Sequence, residues 1–306
     1  MKQPLIDFNS YPVRLTLARL LKDKSTKKNI IWATNNYEHF GESFDDRAQI
    51  EEYIFKRGFV LEPRTSKSMD TQLERTRKRA EVYTPSWVVN LMNNYCDEVW
   101  FERKDVFNIQ TDQTWEPVRD KIEFPEGKTW QEYVDSRRLE ITCGEGPYLA
   151  SRYDVASSEL IRHTINRIGI LDRKLRIVNE NTDSKEDWIT WATRAVMACY
   201  GYEYQGDSLL LARINVLLTF VEYYERRWDE DVDNKILNKL ANIISWNLWQ
   251  MDGLTDTVPY GDPAGQPDQM SFLDIEEPVE EEQVICRVFD WKANKSQTFT
   301  SLKENL

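Results

Sequence analysis

An open α/β sheet with helices on both faces is the fold class expected of this chain, and three observations predict it. Short apolar, strand-like runs alternate with longer stretches of helical spacing. One run, RRLEITC (137–143), stops at a glycine-containing turn, GEGPYL, and acidic residues stand near the ends of other runs. In such sheets ligands bind outside the carboxyl ends of the strands, so function is sought there first. The composition supports a large core: of 306 residues, 41% are hydrophobic and 11 are Trp.

The charge balance narrows the function. Forty Lys and Arg stand against 52 Asp and Glu, a net −12, which argues against coating nucleic acid or anionic membrane by bulk charge but leaves room for a local basic groove. No run approaches the ~18–20 apolar residues of a membrane span. The opening MKQPLIDFNS has no apolar signal region, so a soluble, cytoplasmic chain without membrane partners is expected. Cys96, Cys143, Cys199 and Cys286 are widely spaced, which speaks against a disulfide framework or structural zinc. With only His39 and His163 available, outside any motif, neither a serine triad nor a multi-histidine metal centre is expected.

Taken in order, residues 1–80 read as a mixed α/β extension, with helical spacing in VRLTLARLLKD and a β-leaning run, NIIWAT (29–34). The stretch 64–79 carries Arg64, Lys67, Arg75, Arg77, Lys78 and Arg79 against Asp70 and Glu74; it reads as the start of a helix, either a solvated face or a phosphate-contacting one. Pro85 suits a helix start, and 86–99 has apolar residues at 3- and 4-residue steps. Beyond the glycine turn, KLRIV (174–178) predicts a strand, 185–200 a helix, 201–204 a strand end, and Asp207 opens a long helix. Residues 241–254 predict a buried strand ending near Asp252. Residues 256–283 hold four prolines and the cluster DIEEPVEEE and read as a mobile acidic loop; 284–291 returns to strand texture. The expected units are therefore 1–80, a main domain 81–255 with an insertion near 155–200, the loop 256–283, and a last strand and tail over 284–306.

The motifs around the glycine turn resemble the amino-methylating DNA methyltransferases, in particular the modification subunits of restriction systems. Glu140, Cys143, Gly144, Gly146, Tyr148 and Leu149 match the family's acidic-x-x-Cys-Gly-x-Gly-x-aromatic-Leu motif, and Thr84 and Pro85 match its leading Thr-Pro segment. Glu203 falls on the acidic position of the second strand and Asp252 on that of the third, in the order of the adenine-methylating branch. The likeness runs from about Glu81 to Leu254. It implies a Rossmann-like methyltransferase sheet that binds S-adenosylmethionine: Glu140 and the glycine turn toward the methionine part, Glu203 toward the ribose hydroxyls, Asp252 toward the adenine amine. Amides at the start of the helix after the turn are also expected to hold an anionic group.

The pattern departs from the family in three places. The catalytic (Asn/Asp/Ser)-Pro-Pro-aromatic tetrapeptide, which in the family receives the flipped base, is absent, as the chain contains no Pro-Pro. Tyr260, in TVPYG, and Asp290, Trp291 and Asn294, in FDWKANK, are the surrogate catalytic residues; an ordinary strand end is the competing reading of the latter. The 63 residues from Glu140 to Glu203 imply an insertion, with Glu180 as a fallback second-strand acid. The sheet is also truncated after the fourth motif, exposing an edge that the N-terminal residues or a partner chain would cover. The resemblance thus implies a DNA adenine methyltransferase-type subunit of a restriction–modification or phage-defence system. Its partners would be DNA and an endonuclease or specificity chain, and it would use no metal. A catalytically incomplete cofactor- or DNA-binding component is the alternative. QMSFL (269–273) resembles a sliding-clamp docking peptide, with a chance apolar anchor as the simpler reading.

Overall fold

A computed structural model describes residues 5–63, 84–261 and 283–303. The basic stretch 64–79, the clamp-like 269–273 peptide and most of the acidic loop lie outside the described residues.

The N-terminal part begins with α1 (Val13–Leu20), whose buried Val13, Thr16, Leu17 and Leu20 repeat at helical spacing. The apolar run at 29–34 forms no ladder strand; it makes single bridges, including Ile31 to Gln49, and leads to α2 (Glu52–Lys56). Helix α3 (Ser86–Phe101) starts directly after Pro85, as its sequence predicts. A small hairpin of β1 (Asn108–Thr111) and β2 (Thr114–Pro117) follows, then α4 (Trp130–Asp135), which carries a capping box between Thr129 and Glu132.

Three strands form the central sheet: β3 (Arg138–Glu140), β4 (Cys199–Glu203) and β5 (Leu248–Gln250), parallel and in that order. Helices α5 (Ile170–Asn181) and α6 (Lys185–Met197) connect β3 to β4, and α7 (Gly206–Trp228) and α8 (Asn234–Asn247) connect β4 to β5. The chain then makes a hairpin, β6 (Arg287–Asp290) and β7 (Lys295–Thr298), and ends its described part in α9 (Phe299–Lys303). No helix among the described residues is long and apolar enough to cross a membrane.

Two expected strands become helix. KLRIV lies inside α5, where Leu175, Ile177 and Val178 are buried together with Arg173, Lys174 and Arg176. An apolar pentapeptide reads the same in a helix buried all round as in a buried strand. Likewise 241–247 continues α8, and strand structure is confined to Leu248–Gln250. Asn247 marks the change: its amide nitrogen donates to the carbonyls of Val196, Met197 and Cys199.

The expectation of helices on both faces is met unequally: one face carries the long helices, the other the C-terminal hairpin and the five-residue α9. Tyr200, Tyr202 and Trp249 point to this second face, where Val288 of the C-terminal hairpin and Phe299 of α9 pack against them. The described N-terminal residues cover the β5 side rather than the β3 edge, which pairs with no further strand among the described residues. There Gln250 holds both backbone groups of Ile31, at 2.9 Å each, and Gly206 N donates to Trp32 O. A side chain at Gly206 would put its Cβ 1.9 Å from Ile31 O, so this close approach requires glycine. One continuous apolar core joins Trp32, Ile50 and Phe55 to Leu209, Phe220 and Leu240.

Candidate functional site

The site lies at the carboxyl ends of β3 and β4. Glu140 ends β3, and the chain then turns through Thr142 (φ 45°), Gly144 (φ 54°) and Gly146 (φ 75°), all left-handed. Cys143 N bonds Tyr202 O, tying the turn to β4. The Glu140 carboxylate accepts from Tyr148 N at 3.3 Å and Leu149 N at 3.1 Å, closing the loop onto its own strand. At the tip of β4, Glu203 accepts from Gly144 N at 2.8 Å and from Gln205 N at 3.1 Å. The glycine turn is thus clamped between two carboxylates from neighbouring strands.

These groups face one cavity of about 1010 Å³, near the upper end of the range for small-molecule sites. Thr84, Glu140, Cys143, Gly144, Tyr148 and Glu203 all line it. Gly146 does not, although Glu145 and Pro147 on either side do. A Cβ added at Gly144 would meet nothing within 4 Å, so the turn leaves space where a side chain would stand. Pro85 serves as the residue preceding α3 and does not line the cavity.

The electrostatics follow from burial. Glu140 is raised to about 8, chiefly by desolvation, with the Glu203 charge adding to the rise and the two backbone amides opposing it. Burial likewise pushes the Cys143 thiol well above its ordinary range. Arg138 is the one basic residue among the lining residues, against Glu140, Glu145 and Glu203. Three non-glycine residues in left-handed backbone, Ala33, Thr142 and Tyr260, line this one cavity. Such conformations cost of order 1–3 kcal/mol each and gather at functional sites.

Several expected site residues stand elsewhere. Asp252 caps a turn, its Oδ1 accepting from Leu254 N at 2.8 Å, and does not line the cavity. Asp290, Trp291 and Asn294 form the tight turn between β6 and β7. Asp290 accepts from Lys292 N and Ala293 N and pairs with Arg137, Trp291 Nε1 donates to Asn247, and Asn294 takes the left-handed turn position. A short acidic turn and a strand-tip ligand share the same local sequence, so the sequence could not tell whether these residues line the cavity. Of the four expected catalytic residues, Tyr260 alone lines the cavity. The fallback Glu180 pairs with Arg176 on α5. The expected helix N-terminus after the glycine turn is also missing: the next α-helix begins at Ile170, and Glu140 itself takes the Tyr148 and Leu149 amides.

Ala33, Tyr204 and Gln205 are lining residues that the motifs did not single out. Tyr204 and Gln205 directly follow Glu203, so the strand tip pointed to them; Ala33 arrives from a segment distant in sequence and had no local signal. Comparison with protein-family profiles, characterised proteins and solved structures finds no match to this chain.

Proposed function

We propose that this chain is an S-adenosylmethionine-dependent DNA adenine methyltransferase-type subunit of a restriction–modification or phage-defence system. The observation that carries this reading is the convergence of Glu140, the Cys143–Gly144 turn and Glu203 on one cavity at adjacent parallel strand tips. The space beside Gly144 and the carboxylate-rich lining fit a ligand with hydroxyl donors and a cationic head. When bound, the cofactor supplies a methyl group on a sulfonium centre. Glu203 would accept from ribose hydroxyls, Glu140 and the turn would face the methionine part, and Tyr148 and Thr84 would close that end. Tyr260 is the residue offered for stacking on a base. The β3 edge, unpaired among the described residues and with Leu139 and Ile141 exposed, supports work alongside an endonuclease or specificity chain, with DNA as the methyl acceptor.

A second reading, a cofactor-binding component whose chemistry is completed by another chain, is favoured by the position of Asp290, Trp291 and Asn294 outside the cavity. Calorimetry with S-adenosylmethionine tests both. Wild type is expected to release or absorb heat with saturable binding, and Gly144→Val and Glu203→Gln should weaken it at least tenfold while keeping a native circular dichroism spectrum. A folded wild type giving no heat would remove both readings. Transfer of a labelled methyl group to unmethylated DNA separates them: activity supports the first, binding without activity the second.

A further inference from the structure

The N-terminal residues do more than pack against the sheet. Ala33 lines the cavity, and its N–H donates to Asp46 O at 2.7 Å, while Trp32 N donates to Ala48 O at 3.1 Å. These bonds hold Asp46 and Arg47 beside Tyr260. The Arg47 guanidinium lies 4.8 Å from the centroid of the Tyr260 ring, over its face, and Arg47 is not itself a lining residue. The Tyr260 hydroxyl has the Asp46 carboxylate and Tyr204 as hydrogen-bonding partners. The two tyrosine rings stand 6.1 Å apart at 76°, edge to face. Tyr260 is therefore held at three points: its left-handed backbone (φ 59°), its hydroxyl and one face of its ring.

From this arrangement we propose that Asp46 and Arg47 are positioning residues that hold Tyr260 as a stacking wall for a neutral purine ring. The physical argument is electronic. A cation over one face of a phenol draws on the negative quadrupole of the ring, so the opposite face repels an electron-rich heterocycle less and attracts a second cation less. A purine stacks well on such a face, while a cationic ligand head belongs beside the Glu203 carboxylate, Glu140 being held in its neutral form by burial. The inference rests on the methyltransferase reading for its choice of ligand, because that reaction brings two purines to one site: the adenosine part of the cofactor and an adenine extruded from DNA. Both offer the same ring chemistry to Tyr260.

Titration of 2-aminopurine riboside, a fluorescent purine quenched by stacking, tests the proposal on the full chain. Wild type should quench the probe. Tyr260→Phe, which keeps the ring but gives up the hydroxyl that Asp46 holds, should keep the quench and bind two- to fivefold more weakly, whereas Tyr260→Ala should lose the quench and bind about tenfold more weakly. Arg47→Ala and Asp46→Asn should weaken binding two- to fivefold, with Arg47→Lys restoring most of the loss. A residue with a merely structural role would shift the melting temperature and leave the quench at saturation unchanged. Competition of S-adenosylmethionine with the probe would assign the wall to the cofactor; simultaneous binding would assign it to the extruded base. A wild type that binds S-adenosylmethionine but does not quench the probe, or folded Tyr260→Ala and Arg47→Ala variants with wild-type quench, would overturn the inference and leave the cofactor reading standing. A wild type that quenches the probe but takes no S-adenosylmethionine would do the reverse.

Discussion

Glu140 is a carboxyl group whose two oxygens are occupied by backbone amides and whose surroundings disfavour its charge. Its folded value near 8 lies above the ordinary 4.5, so the folded chain holds a proton that the unfolded chain releases. The stabilising contribution is complete below about pH 4.5 and is lost as pH rises toward 8. Urea unfolding followed from pH 5 to 8.5 should show wild type losing stability more steeply than Glu140→Gln, by no more than about 5 kcal/mol over the range. Parallel slopes for the two proteins would show that Glu140 stays ionised in the fold. The same group explains why part of the site was legible. Thr84, Glu140, Cys143, Gly144 and Tyr148 lie in short motifs whose spacing already dictates a turn, and Glu203 stands at a strand tip. Asp252, Asp290 and Asn294 also carry turn-forming side chains, but whether such a turn faces a cavity depends on what packs beside it.

At the scale of elements, α3 reverses the usual arrangement. Asn90, Asn93 and Asp97 are buried, while Leu91, Met92, Tyr95 and Val99 are exposed. Most of this polar side receives Arg173 of α5, whose guanidinium bonds Asp97 at 2.5 Å, Asn90 at 2.9 Å and Asn94 at 2.8 Å, while Asn93 donates to the Tyr148 and Ile168 carbonyls. Tyr133 of α4 donates to the second Asp97 oxygen. Removing one partner of a buried ion pair strands the other, so Asp97→Ala should destabilise the chain by about 3–5 kcal/mol. A loss below 1 kcal/mol in chemical denaturation would mean that water reaches Arg173. Helical spacing alone located α3 correctly but could not say which stripe turns inward. The same ambiguity turned KLRIV from an expected strand into the middle of α5, where its buried charges are met at helical spacing and from outside the helix: Arg176 pairs with Glu180 one turn on and donates to Asp120 O, and Lys174 Nζ donates to Val134 O.

Over the whole molecule, the parallel sheet has, among the described residues, one edge met by the N-terminal segment and one, β3, that pairs with no further strand. Residues from the N-terminus close the β5 side, whereas the β3 edge leaves Leu139 and Ile141 exposed; Leu139 and Ile141 share the cavity lining with Met92 of α3. Contiguous apolar surface beside an unpaired strand edge favours association. Light scattering on the isolated chain at tens of micromolar should therefore report a mass above that of a monomer, reduced by Tyr95→Glu or Val99→Lys without loss of melting temperature. A monodisperse wild-type monomer, unchanged by either substitution, would count against the partner-chain setting.

Local sequence by itself determined the starts of α1, α3, α6 and α7, to within a residue, and the residues of the glycine turn. These depend on neighbours within a few positions, where propensity and spacing act directly. Tertiary structure alone decided that Ala33 and Tyr260 share a cavity with Glu203, that the C-terminal hairpin covers one sheet face, and that α3 turns its polar side inward. The physical reason is common to all three. Each is set by which distant group satisfies a buried charge, an exposed ring or a bare face, and no run of adjacent residues records that choice.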